Sequence, residues 1–76
     1  MFTKTLSIPN IDAARAFVGI TAKYPRTIIT LISEEYKIDA HSIIGILSLD
    51  LSRPITLEAD GEGIDTLELD LEPFTV

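Results

Sequence analysis

The chain has no cysteine. That excludes disulfides, thiolate metal sites and thiol nucleophiles, and it fits a reducing cytoplasm. No apolar run approaches the ~20 residues that a membrane-crossing helix needs. The opening residues, Met1-Phe2-Thr3-Lys4-Thr5, lack the basic-then-apolar layout of a secretory signal, so a cytoplasmic location is expected. Cations are scarce: six against twelve acids, for a net charge of −6. Lys4, Arg15, Lys23 and Arg26 face Asp12 alone in residues 1–33, whereas Lys37 and Arg53 face eleven acids in residues 34–76. An acidic C-terminal half repels nucleic acid and anionic lipid, so neither is expected as a partner. It reads as a solvated face, with an acidic docking surface as the alternative. There is a single histidine, His41.

What remains is an ordinary globular composition, 46% apolar and 24% charged over 76 residues. That length makes one domain, residues 1–76, with one modest core. No internal repeat, linker or low-complexity segment interrupts it.

Phe2, Leu6 and Ile8 share one alternation phase and predict a first strand over residues 2–8, ended by Pro9. Asp12 is a good N-cap, and Ala13, Ala16, Phe17, Ile20 and Tyr24 recur at helical spacing, predicting a helix over 12–24. Pro25 ends it. Residues 27–32 are rich in β-branched side chains and read as a strand, and Tyr36–Ile38 as its hairpin return. The intervening Ser33-Glu34-Glu35 turn has no glycine. Ser42 can cap a second helix over 43–50, broken by Ser52-Arg53-Pro54. Residues 55–59 form a fourth strand before the turn Asp60-Gly61-Glu62-Gly63. In the last segment, Ile64, Leu67, Leu71 and Phe74 fit a helix face, while Leu67, Leu69 and Leu71 also alternate as a strand. Elements in this order predict an α+β domain of two layers, with helices on one face of an antiparallel sheet.

Few residues invite chemistry. Asn10 reads first as a turn residue after Pro9, and Arg15 as a solvated helix position. Asp39, His41 and Ser42 are not a catalytic triad, because triad members converge from separate elements with the histidine between acid and nucleophile. Asp39 and His41 alone are too few for a metal site, and no cofactor is implied. His41 reads as a surface residue. The apolar stripe Ile43, Ile44, Ile46, Leu47 and Leu49 is wider than one face of a short helix can bury. Either part of it is exposed for a partner, or it lies under the last segment.

The segment Ala40-His41-Ser42-Ile43-Ile44-Gly45-Ile46-Leu47-Ser48-Leu49 resembles the serine-helix segment Ala-Lys-Ser-Ile-Met-Gly-Leu-Met-Ser-Leu of the histidine phosphocarrier protein (HPr) family. That family serves the bacterial sugar phosphotransferase system. Ala14, Phe17-Val18, Lys23-Tyr24, Ile29-Thr30-Leu31, Ile55-Thr56-Leu57 and Asp60-Gly61-Glu62 extend the likeness over nearly the whole chain. The resemblance implies an open-faced β-α-β-β-α-β-α sandwich, a four-stranded antiparallel sheet with two to three helices on one face. It implies a bacterial, cytoplasmic protein whose partners are phosphotransferase enzymes, an HPr-type kinase or a transcriptional regulator. It also implies Ser42 as a regulatory phosphorylation site and Ile43, Ile44, Ile46 and Leu47 as the docking surface.

The departures bear on the chemistry. The family's phosphorylated histidine sits in Gly-Leu-His-Ala-Arg-Pro-Ala before the first helix. Here its His position falls on Asn10, its Arg on Asp12 and its Pro on Ala13. A carboxamide has no nucleophile comparable to imidazole. Asp12 puts negative charge where the family binds an anion, and Arg15 is the one nearby cation that can partly replace the lost arginine. The expectation is a non-enzymatic binding or regulatory module, with Asn10 and Asp12 as vestiges of the phosphorylation site. The alternatives are a phosphocarrier that uses His41 and a domain that keeps the fold only for self-association.

Overall fold

The computed structural model describes residues 2–76. Strand β1 (Phe2–Leu6) leads into helix α1 (Ile11–Thr21), then strands β2 (Ile28–Ser33) and β3 (Tyr36–Asp39), helix α2 (Ile43–Leu47), strand β4 (Ile55–Asp60) and helix α3 (Ile64–Asp70). A 3-10 turn over Glu72–Phe74 follows. The sheet order is β1-β4-β2-β3, and every neighbouring pair is antiparallel. Along β2 and β4, Ile29, Leu31, Ile55, Leu57 and Ala59 are buried on one face, against Ala14, Phe17, Ile46, Leu67 and Leu71 of the helices. The alternate residues Ile28, Thr30, Thr56 and Glu58 lie on the other, open face.

Boundaries moved where local hydrogen bonding outweighed pattern. β1 stops at Leu6 rather than Ile8, because the Ser7 N–H turns to the Phe74 carbonyl (2.7 Å). α1 begins one residue before Asp12, which is not the cap. Asn10 is, with extended backbone (φ −157°) and its Oδ1 accepting the Ala13 N–H at 2.8 Å. α1 ends at Thr21, not Tyr24: the Lys23 and Tyr24 N–H groups bond three residues back, to Ile20 and Thr21, as the chain tightens ahead of Pro25. α2 ends at Leu47 rather than residue 50, because the Ser48 hydroxyl donates to the Gly45 carbonyl (2.6 Å).

The last segment is helical. Leu67 and Leu71, one turn apart, are both fully buried, and Phe74 meets Phe17 edge to face at 5.8 Å. Leu69, which the strand reading would have buried, is exposed. Thr75 then bridges Leu6, and the Val76 N–H reaches the Thr5 carbonyl at 3.2 Å, so the tail runs along the free side of β1.

The β2–β3 turn shows what the missing glycine entails. Glu34 has φ +56° and is the one non-glycine residue with positive φ among those described. Ser33 and Tyr36 are partners in register, so Glu34 is the first central residue of a two-residue turn, at a positive φ where glycine is the usual occupant. A side chain in this region costs about 1 kcal/mol. The exposed Glu34–Arg53 contact at 3.2 Å returns less than that. Glu34→Gly is therefore expected to stabilise the domain by ~0.5 kcal/mol, a rise of roughly 2–4 °C in melting midpoint. An unchanged or lower midpoint would count against this account of the turn.

Candidate functional site

Asn10, Ile11 and Asp12 form the start of α1 and are all exposed. Asn10 Oδ1 is committed to the Ala13 N–H. Asp12 lies in the first turn, where its charge favours the positive helix end. Arg15 follows one turn after Ile11 on the same stripe. It is exposed and makes no hydrogen bond or ion pair through its side chain among the described residues. Five positions beyond the cap, it is not gathered into a cluster with Asn10.

A second group lies where β3 passes into α2. Ser42 is the N-cap expected of it, its Oγ accepting the Gly45 N–H at 3.1 Å. His41 is not a plain surface side chain. Its ring is about three-quarters shielded, at 27% exposure. Nδ1 meets Asp39 Oδ1 at 2.7 Å and Nε2 meets the Tyr24 carbonyl at 3.1 Å. A carboxylate and a carbonyl are both acceptors, so both contacts are satisfied only when both ring nitrogens carry hydrogen. His41 thereby ties the end of β3 to the segment after α1. The buried Thr21 hydroxyl makes a parallel tie, donating to the Ala40 carbonyl at 3.0 Å. No bond joins His41 to Ser42, so the two do not form a nucleophile–base pair. No group of three metal-ligating side chains occurs among the described residues.

Burial works against charging His41, but the hydrogen bond and charge of Asp39 and the Tyr24 and Thr21 carbonyls outweigh it and raise its pKa above 6.5. Asp39 is held below the usual carboxylate range, chiefly by the His41 backbone N–H and then by its ring. A raised folded-state pKa means that the His41 contribution to stability is complete below the unfolded value near 6.5 and is lost as pH rises through the folded one. The expected result is an NMR titration of His41 with its midpoint above 6.5, moved downward in Asp39→Asn. A midpoint at or below the free value would mean that the tie does not persist in solution.

The α2 stripe divides. Ile46 is fully buried, so it is core and not part of a docking surface. It is held against the sheet and α1 rather than under the last segment. Leu49 is buried and Ile43 half-buried. Ile44 and Leu47 remain, at 80% and 42% exposure. An open groove of about 450 Å³ lies elsewhere, between Pro25, Ile28, Thr30, Lys37, Asp39 and His41. It touches neither Asn10 nor Ser42.

Comparison with solved structures fits this geometry. The chain is similar to HPr-C-His from Thermoanaerobacter tengcongensis with a TM-score of 0.79 and 28% identity, over 93% of this chain and 86% of that chain. The fold is HPr-like. No protein-family model matches the chain, and no curated protein matches it significantly in sequence.

The HPr-like frame is also held by a contact that no sequence pattern announced. The Tyr24 hydroxyl donates to Asp70 Oδ2 at 2.7 Å, and Lys23 Nζ lies 2.9 Å from the same oxygen, joining the segment after α1 to the end of α3. Burial of the ring, with the Asp70 bond and charge, pushes Tyr24 up to about 12. The Tyr24 bond, then Lys23, holds Asp70 below its ordinary range. Gly63 makes room for this: a Cβ there would lie 3.1 Å from the Tyr24 ring, in a backbone conformation (φ +79°) that side chains disfavour. These residues lie 46 positions apart, so only the fold brings them together.

Proposed function

We infer that this HPr-like domain is a protein-docking module related to the phosphotransferase system and that it does not carry phosphate itself. One observation carries the reading. The position corresponding to the family's phosphorylated histidine holds Asn10, whose side-chain oxygen is already engaged as the cap of α1. Asp12 beside it disfavours an incoming phosphoryl group. His41 is a poor substitute: its Nδ1 is held by Asp39 Oδ1 and its Nε2 by the Tyr24 carbonyl, so both ring nitrogens are already engaged.

What supports docking is the surface that remains. Ile44 and Leu47 are exposed on a helix whose inner residue, Ile46, anchors it to the core. Apolar side chains on such a support suit partner contact. Ser42 sits at the start of that helix as the natural place for regulation. A phosphate there would gain from the helix N-terminus while altering the charge beside Ile44.

The test is intact-mass analysis after incubation with phosphoenolpyruvate and the general phosphotransferase enzyme. No acid-labile phosphate is expected. A stoichiometric label that disappears in His41→Ala would overturn the reading in favour of a phosphocarrier. A parallel incubation with ATP and an HPr-type kinase should label Ser42; no label removes the regulatory role and leaves Ser42 a cap.

A further inference from the structure

The two edges of the sheet are treated differently. The free side of β1 is covered by the C-terminal tail through the Leu6–Thr75 bridge and the Val76 N–H. β3 pairs with β2 alone. An uncovered edge presents backbone donors and acceptors that a further strand can use.

The phase of the β2–β3 ladder decides which groups those are. The Ala40 N–H donates to the Ile29 carbonyl, and these two residues continue the β2–β3 register. Bonded and non-bonded pairs alternate along an antiparallel ladder. Tyr36 and Ile38 therefore turn their backbone groups toward β2, and Lys37 and Asp39 turn theirs outward. The Asp39 carbonyl also accepts the Ser42 N–H at 3.0 Å, leaving one lone pair. Lys37 is exposed, and its side chain makes no ion pair among the described residues.

We propose that this edge pairs with the same edge of a second copy, forming a continuous sheet across a two-fold axis with Lys37 of each copy opposite Asp39 of the other. Three antiparallel registers bring the outward groups of two β3 strands into contact. One sets Lys37 against Lys37, another sets Asp39 against Asp39, and like charges directly opposite are unfavourable. The third sets Lys37 against Asp39 twice, with Ile38 facing Ile38 at the centre. The strand is thus self-complementary in charge in a single register, and that selects a second copy rather than an unrelated peptide. The interface uses none of the exposed α2 residues and stands independently of the docking reading above.

Sedimentation velocity over a wide concentration range, with wild type and three variants, tests this. Wild type should self-associate reversibly. Lys37→Asp and Asp39→Lys should each weaken association about tenfold or more, since two cross-strand pairs turn repulsive at once. Mixing the two variants in equal amounts should restore it, because every cross-strand pair is then again of opposite charge. Lys37→Pro removes an outward N–H and no bond to β2, so it should be monomeric with its melting midpoint little changed. That variant keeps the test valid if loss of the Asp39–His41 contact destabilises Asp39→Lys. A strict monomer at millimolar concentration, or a dimer indifferent to all three substitutions, overturns the proposal. So does a mixture that associates no better than its components.

Discussion

Phe17→Ala is expected to leave much of the chain unfolded at physiological temperature. Phe17 is fully buried where α1 crosses the sheet, and its ring packs edge to face on Phe74 at 5.8 Å. Truncating such a side chain typically costs ~3–5 kcal/mol, the lost transfer energy plus the cavity left behind. A domain of 76 residues has only about 4–11 kcal/mol to lose. The melting midpoint should fall by roughly 15 °C or more. The damage should also be spatially selective. Phe74 is only half-buried and depends on Phe17 for its contact, so the 3-10 turn and the tail along β1 should lose amide protection before the β2–β4 ladder does. A shift of only a few degrees would show that Phe74 swings in to fill the space and that this part of the core is more plastic than described.

Combining Asn10→His with Asp12→Arg is expected to give a chain that takes up phosphate, which on the proposed reading the wild type does not. The N-cap position of an eleven-residue helix already places the side chain of residue 10 at the positive end of α1. An imidazole there titrates near neutrality and offers a nucleophilic nitrogen, and the Asp12 change removes a repelling charge and supplies an attracting one. The expected readout is an acid-labile phosphate from phosphoenolpyruvate and the general phosphotransferase enzyme, absent in wild type. Histidine is a weaker cap than asparagine, so a loss of about 1 kcal/mol should accompany the gain. Circular dichroism would verify that the variant folds. A folded variant that stays unlabelled would show that the enzyme does not dock here, and the docking surface would have to be sought elsewhere.

The elements that could be read from sequence are those whose pattern and burial agree. Ile29, Leu31, Leu57 and Ala59 alternate because one face of the sheet is covered, and that signal survives in one dimension. Ser42 was legible as a cap because the apolar helix residues begin directly after it. Asn10 reads as a turn residue because Asp12 offers an equally good cap two positions on. Which one closes the first turn depends on backbone geometry that composition does not encode. Ile46 was indistinguishable from Ile44 as letters, yet one is core and the other surface, because the sheet and α1 meet only one side of α2. The shielding of His41 is hidden in the sequence for a related reason. Its second partner is a main-chain carbonyl 17 residues away, and carbonyls leave no trace in a sequence. The last segment could not be settled until Phe17 and the sheet supplied the surface that Leu67, Leu71 and Phe74 cover.

The strand order has a kinetic corollary. β1 is the first strand in the chain, but its strand partner is β4, roughly fifty residues downstream. β4 in turn lies between β1 and β2. During synthesis, α1 and the β2–β3 hairpin can form early from local contacts, while β1 has no partner until the chain has passed Asp60. Closing that loop late and at high entropic cost should make β1 docking the slow step of an otherwise fast folding reaction. Destabilising changes in β1 should then slow folding, whereas equal changes in contacts made after that step should act on unfolding alone.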